Sequence, residues 1–226
     1  MELKINSHEA IELAGNIEQL IESARALYDK DMLAACDGNL SYRLNDSCIA
    51  ITPSGKPKAY LKKDDFAIID IDGNILSGKP SSEMGLHLAV YRAHPKAKSV
   101  IHSHPPCVIG WSIVNPDKDF LPANAIGEVI LACGSIPQVP FSLPGSQGLV
   151  EEFKKFLPQY RVLILSRHGA VTWGESIEEA QRGTERLEHA AKILKYAKDF
   201  GEIVPLPEKE INELKELRKK IGDVIL

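Results

Sequence analysis

Apolar residues at Ile11, Ala14, Ile17, Ile21, Ala24 and Leu27 recur at three- and four-residue steps, the period of one helix face. The spacing predicts an amphipathic helix over residues 9–29, with Ser7 as its cap. Past the CDGN of residues 36–39 the period shortens to that of β-strands. LSYRL (40–44), CIAIT (48–52) and FAIIDIDGNIL (66–76) are short apolar-alternating runs, and Asp72-Gly73-Asn74 between apolar pieces marks a hairpin turn. SSEMGLHLAVYRAHP (81–95) is a capped helix ended by Pro95, AKSVIHSH (97–104) a strand, and PPCVIGWSIV (105–114) a helix with prolines in its first turn. Residues 115–144 are rich in turn formers and hold one strand, GSIPQVPF. A helix over 147–156, a strand RVLILS, a tight RHGA turn and a strand AVTWG follow. A long helix over 176–200 comes next, and Pro205 and Pro207 break the chain before a charged helix over 208–221.

Helices that flank a run of short strands imply an α/β fold: one α/β/α domain with a central, mostly antiparallel sheet. No repeat or low-complexity linker divides it. Residues 1–204 are expected to form that domain and 205–226 a helical appendage of it, either a solvated surface helix or a lid or subunit contact. At 226 residues the chain can fill a sizeable core. A formal charge of −4 and a pI near 6.0 give no electrostatic footprint for nucleic acid. No apolar run approaches the roughly 20 residues of a membrane span, and MELKINSHEA lacks the apolar region of a signal peptide. Four widely spaced cysteines, Cys36, Cys48, Cys107 and Cys133, read as reduced thiols of a cytoplasmic protein.

The chemistry concentrates in few places. His102 and His104 in VIHSHPP stand one residue apart at a strand end, so both imidazoles face one way. A pair of this kind is either structural or half of a metal site. His168, in SRHGAVTWG, supplies a third imidazole at a turn where Gly169 permits sharp backbone geometry. Three protein ligands with one open position is the plan of a catalytic zinc site. His8, His94 and His189 lie at helix ends or within a helix and fit that plan less well. In GKPSSEMGLH, Ser81 or Ser82 can cap the helix with Glu83 in its first turn. The same residues can instead form an anion cradle with Glu83 as an acid/base. DGNLS (37–41) and TPSG (52–55) are two further small-polar turns able to hold an anion. Together they suggest a phosphorylated substrate held against a metal.

DGNLSYR, ITPSG, PSSEMGLHLAVYRAHP, VIHSHPP and SRHGAVTWGESIEEA, in this order over roughly residues 10–200, resemble the consecutive motifs of the class II aldolase and adducin-head family. The resemblance implies that His102, His104 and His168 ligate Zn²⁺, or another divalent ion such as Mn²⁺ or Co²⁺. It makes Glu83 the acid/base and a fourth ligand in the resting state, and assigns the phosphate to Asn39, Ser54, Gly55, Ser81 and Ser82. It also implies a homotetramer with sites between subunits. Glu83 after two serines matches the aldolase branch, since the ribulose-phosphate 4-epimerases carry aspartate there. Cys36 stands where aldolases have a threonine, and Ile126 aligns with their catalytic tyrosine, so nearby Glu128 becomes the candidate second acid/base.

The expected activity is therefore reversible cleavage of a ketose 1-phosphate to dihydroxyacetone phosphate and a short aldehyde. Alternatives on the same fold are a sugar-phosphate dehydratase of the methylthioribulose-phosphate kind, a decarboxylase, the epimerase, or a non-catalytic adducin-like scaffold.

Overall fold

The computed structural model describes residues 7–222 and 224–226, with side chains from residue 14 onward. Its centre is one eight-stranded sheet. In chain order the strands are β1 (Asn39–Arg43), β2 (Cys48–Ile51), β3 (Ala67–Asp70), β4 (Ile75–Ser77), β5 (Ser99–Ser103), β6 (Gln138–Val139), β7 (Val162–Leu165) and β8 (Gly169–Gly174). Their spatial order is β4-β3-β2-β1-β5-β8-β7-β6. Neighbours run antiparallel except β6 and β7, which are parallel. The Asp70–Asn74 turn joins β3 to β4 as a hairpin, with Asp70 Oδ1 accepting from the Asn74 N–H at 2.8 Å.

Central strands are covered on both faces, and their residues sort by alternation. Val100, Leu163, Leu165, Val171 and Trp173 face one cluster, shared with α2 (Met84–Ala93) and α5 (Gln147–Lys154). Ile101, Val162, Ile164 and Ala170 face the other side. There α1 (Ser7–Asp29), α3 (Pro106–Val114) and the long α6 (Ile177–Phe200) pack. Ser7 is the first described residue of α1, and the cap expected of it rests on a side chain outside the described ones.

One helix lies where only turns and a strand were expected. In α4 (Gly127–Cys133), Val129, Ile130, Ala132 and Cys133 are buried. Seven residues hold less than two turns of periodic signal, and burial within the second cluster stabilises α4 where propensity does not. The final helix α7 (Glu208–Ile221) lies on α4. Arg218 bonds the Leu131 and Val224 carbonyls, and Ile225 is 1% exposed in the core. Among the described residues no helix is long and apolar enough to cross a membrane, and the four cysteines are free thiols.

Candidate metal and anion site

Strand β5 carries His102 with Asn39 of β1 opposite it on one side and Val171 of β8 opposite it on the other. His104 follows just past the strand end, its N–H donating to the Met32 carbonyl at 2.8 Å. Because β5 and β8 are antiparallel, the end of one meets the start of the other, and the β7–β8 turn delivers His168 to the same place. Arg167, not Gly169, adopts the left-handed backbone of that turn, with φ +57°. Its N–H donates to Ser112 Oγ at 2.8 Å, which holds a conformation costly for a residue with a Cβ. Gly169 is needed for a different reason: a Cβ there would lie 2.4 Å from the Ser103 carbonyl and 2.8 Å from His104 Cδ2.

The three rings gather with centroids 4.8–5.2 Å apart. Glu83 lies immediately before α2, at its cap and not in its first turn, and its side chain makes no cap bond. Its carboxylate turns to the imidazoles, with Oε2 3.2 Å from His102 Nε2 and Oε1 3.3 Å from His168 Nε2. Burial alone would raise the Glu83 pKa, but the contacts with His102 and His168 outweigh it and hold the carboxyl well below the usual range. Burial, with His102 and His168 nearby, pushes His104 down to about 3.

These residues fit a divalent cation. His102 Nδ1 donates to the Ala170 carbonyl at 2.9 Å, which fixes the tautomer and leaves Nε2 with a free lone pair. That lone pair faces His104 Nε2 at 3.0 Å, so a proton or a cation must lie between them. Glu83 Oε1, though buried, accepts no hydrogen bond among the described residues. The potential ligand atoms of His102, His104 and His168 all lie within 4.8 Å of one another.

Behind the carboxylate runs a buried chain of donors. Tyr91 donates its O–H to Ser41 Oγ at 2.7 Å, and Ser41 donates to His87 Nδ1 at 2.6 Å. His87 Nε2 meets Asn39 Oδ1 at 2.5 Å, and Asn39 Nδ2 donates to Glu83 Oε2 at 3.0 Å. An amide oxygen only accepts, so the His87 proton sits on Nε2. Burial first, then His102, pushes His87 down to about 3 and keeps it neutral. Asn39 is therefore bound on both ends of its amide and orients Glu83, a role the expected phosphate contact did not include.

Asn39, Ser54, Gly55, Ser81 and Ser82 line one cavity of about 260 Å³ together with Glu83, His104 and His168. Two of the backbone amides expected to cradle an anion are already used: Ser54 donates to the Lys79 carbonyl and Ser81 to that of Thr52. Ser81 Oγ accepts from the Glu83 N–H at 3.2 Å. Glu128 is not brought to this cavity; it is exposed at the start of α4. Ile126 packs against the core. His94 bonds the Leu157 carbonyl and stacks on Trp173. Two residues of the site escaped the sequence reading. His87 carried a readable signal, a histidine four places after Glu83 in an apolar helix. Lys58 had none, being one lysine among several in a polar turn.

A model of the family described as "Class II Aldolase and Adducin N-terminal domain" matches residues 18–194. The L-fuculose phosphate aldolase of Methanocaldococcus jannaschii is 35% identical over 78% of this chain and 93% of its own length. The 3-oxo-tetronate 4-phosphate decarboxylase of Haemophilus influenzae is 30% identical over 78% of this chain and 85% of its own. The crystal structure of YgbL from Escherichia coli, described as an aldolase, epimerase or decarboxylase, superposes with a TM-score of 0.84 at 29% identity, covering 91% of this chain and 99% of that one. The chain belongs to the class II aldolase and adducin family.

Proposed function

We propose that this protein is a zinc-dependent lyase of phosphorylated sugars, cleaving a ketose 1-phosphate reversibly to dihydroxyacetone phosphate and a short aldehyde. The observation that carries this reading is a carboxylate facing imidazoles in a cavity that also holds the Ser54, Ser81 and Ser82 hydroxyls. His102, His104 and His168, with Glu83, would hold the divalent cation. A cation held there supplies Lewis acidity for the negative charge left beside the carbonyl when a carbon–carbon bond breaks.

The chain's own residues do the rest. Glu83, ionised and oriented by Asn39, takes the proton from the reactive carbon of dihydroxyacetone phosphate in the condensation direction. Ser54, Gly55, Ser81 and Ser82 hold the phosphate at the other end of the substrate. A second acid must protonate the aldehyde oxygen, and Glu128, exposed and away from this cavity, serves only if a neighbouring copy lends it. The homotetramer expected from the resemblance would provide that neighbour.

Decarboxylation of a phosphorylated 3-oxo acid is the second reading. It is favoured by the decarboxylase relatives. Both reactions leave charge beside a carbonyl, so one panel separates them. The zinc-loaded protein is assayed with fuculose-, rhamnulose-, deoxyribulose- and methylthioribulose-1-phosphates and with 3-oxo-tetronate 4-phosphate. Dihydroxyacetone phosphate is the expected product, and release of carbon dioxide without it would replace the aldolase reading by the second.

A further inference from the structure

Lys58 begins the short turn after Pro57 and is only 1% exposed, yet it lines the cavity shared by Ser54, Gly55, Ser81 and Glu83. Its ammonium donates to the Cys36 and Lys56 carbonyls, each at 2.8 Å. Two carbonyl dipoles leave one of its three donors over and supply no opposite charge. Among the described residues no carboxylate lies within ion-pair distance of it. The cavity's carboxylates act on it only from beyond that distance: Glu83 faces His102 and His168, and Asp37 is a largely exposed group 3.7 Å from the neutral His104 ring. A buried ammonium without a counter-ion is costly, and such charges persist where a partner or ligand completes them.

We propose that Lys58 is the fixed counter-charge for the phosphate of the substrate, set in the wall of the cavity beside the Ser54 and Ser81 hydroxyls. The proposal rests on the reading of the substrate as a phosphorylated sugar and adds the residue that selects for its charge. Hydroxyls and amides offer dipoles that would also accept a neutral hydroxymethyl group. A lysine screened from solvent rewards a dianion and leaves a neutral end group with an unmatched cation beside it. The Cys36 and Lys56 carbonyls hold the ammonium in place before the anion arrives, so little ordering remains at binding.

The test uses inorganic phosphate as probe, titrated into the full-length zinc-loaded protein and followed by ³¹P line width. Lys58→Gln keeps a donor for the two carbonyls and removes the charge. Phosphate affinity should fall by about ten- to a hundredfold, the range of a hydrogen bond to a charged group, with zinc content and circular dichroism unchanged. Lys58→Met, which keeps the buried stem, should show the same loss, and either variant suffices if the other does not fold. His104→Ala should lose zinc and keep phosphate binding. Equal affinity in wild type and both folded variants would overturn the role of Lys58 and leave the phosphorylated-substrate reading standing. Binding lost in His104→Ala but kept in Lys58→Gln would put the anion on the metal and overturn it too. No phosphate binding by the wild type would overturn both.

Discussion

Glu83 stays charged although largely buried, because imidazoles and the Asn39 amide face its oxygens. Such a group can accept a proton only from something delivered into the cavity, which is what a proton-transfer role requires. Glu83→Gln keeps the shape and removes the base. Exchange of the reactive proton of dihydroxyacetone phosphate in deuterated water, followed by NMR, should slow by about 10²–10⁴-fold. Metal content should hold, because the three histidines remain. Exchange at the wild-type rate would reduce Glu83 to a helix-start residue and move the base elsewhere. His102, His104, His168 and Glu83 were legible in the sequence because their chemistry is tied to short motifs. The orienting role of Asn39 was not, since it depends on His87 across a register that no single stretch encodes. The hydrogen bonds of the Ser54 and Ser81 amides were equally illegible, because their partners Lys79 and Thr52 are brought in by the antiparallel Pro53–Pro80 bridge between distant segments.

At the level of elements, the site depends on the close approach of the β5 end to the β8 start. Gly169 makes that approach possible, and the sequence reading named the residue but gave it the work that Arg167 does. Gly169→Ala would drive a methyl into the Ser103 carbonyl and the His104 ring, and the carbonyl cannot withdraw without disturbing the β5–β8 pairing. Overpacking of this kind costs about 1–3 kcal/mol, and here it acts directly on the ligand geometry. A lower melting temperature is expected, with zinc affinity measured against a competing chelator reduced at least about tenfold. An unchanged affinity would mean that the His104 ring is free to move aside. The longer helices and the strands were legible from period alone, as was the hairpin at Asp72-Gly73-Asn74. The seven-residue α4 was not, because so short an apolar helix looks like any buried run.

On the scale of the whole molecule, the candidate ligands and their supports come from distant parts of the chain. Asn39 and Glu83 are 44 residues apart, and His102 and the carbonyl of Ala170 that orients it are 68 apart. They meet only where β1, β5 and β8 lie side by side at the middle of the sheet, a register reached late when contacts are this non-local. A cation is therefore expected to find its ligands together only once that register has formed. Zinc in excess should leave the refolding rate after dilution from urea unchanged. At about 100 times its dissociation constant, zinc stabilises the folded state by about 2.7 kcal/mol, and the whole of that should appear as unfolding slowed about a hundredfold. Refolding accelerated by zinc would show instead that the histidine cluster assembles early. On the proposed reading, the antiparallel seam between β5 and β8 would set a temporal order: the sheet closes first, and a bound ion then acts as a clasp against opening, protecting a finished chain without seeding a new one.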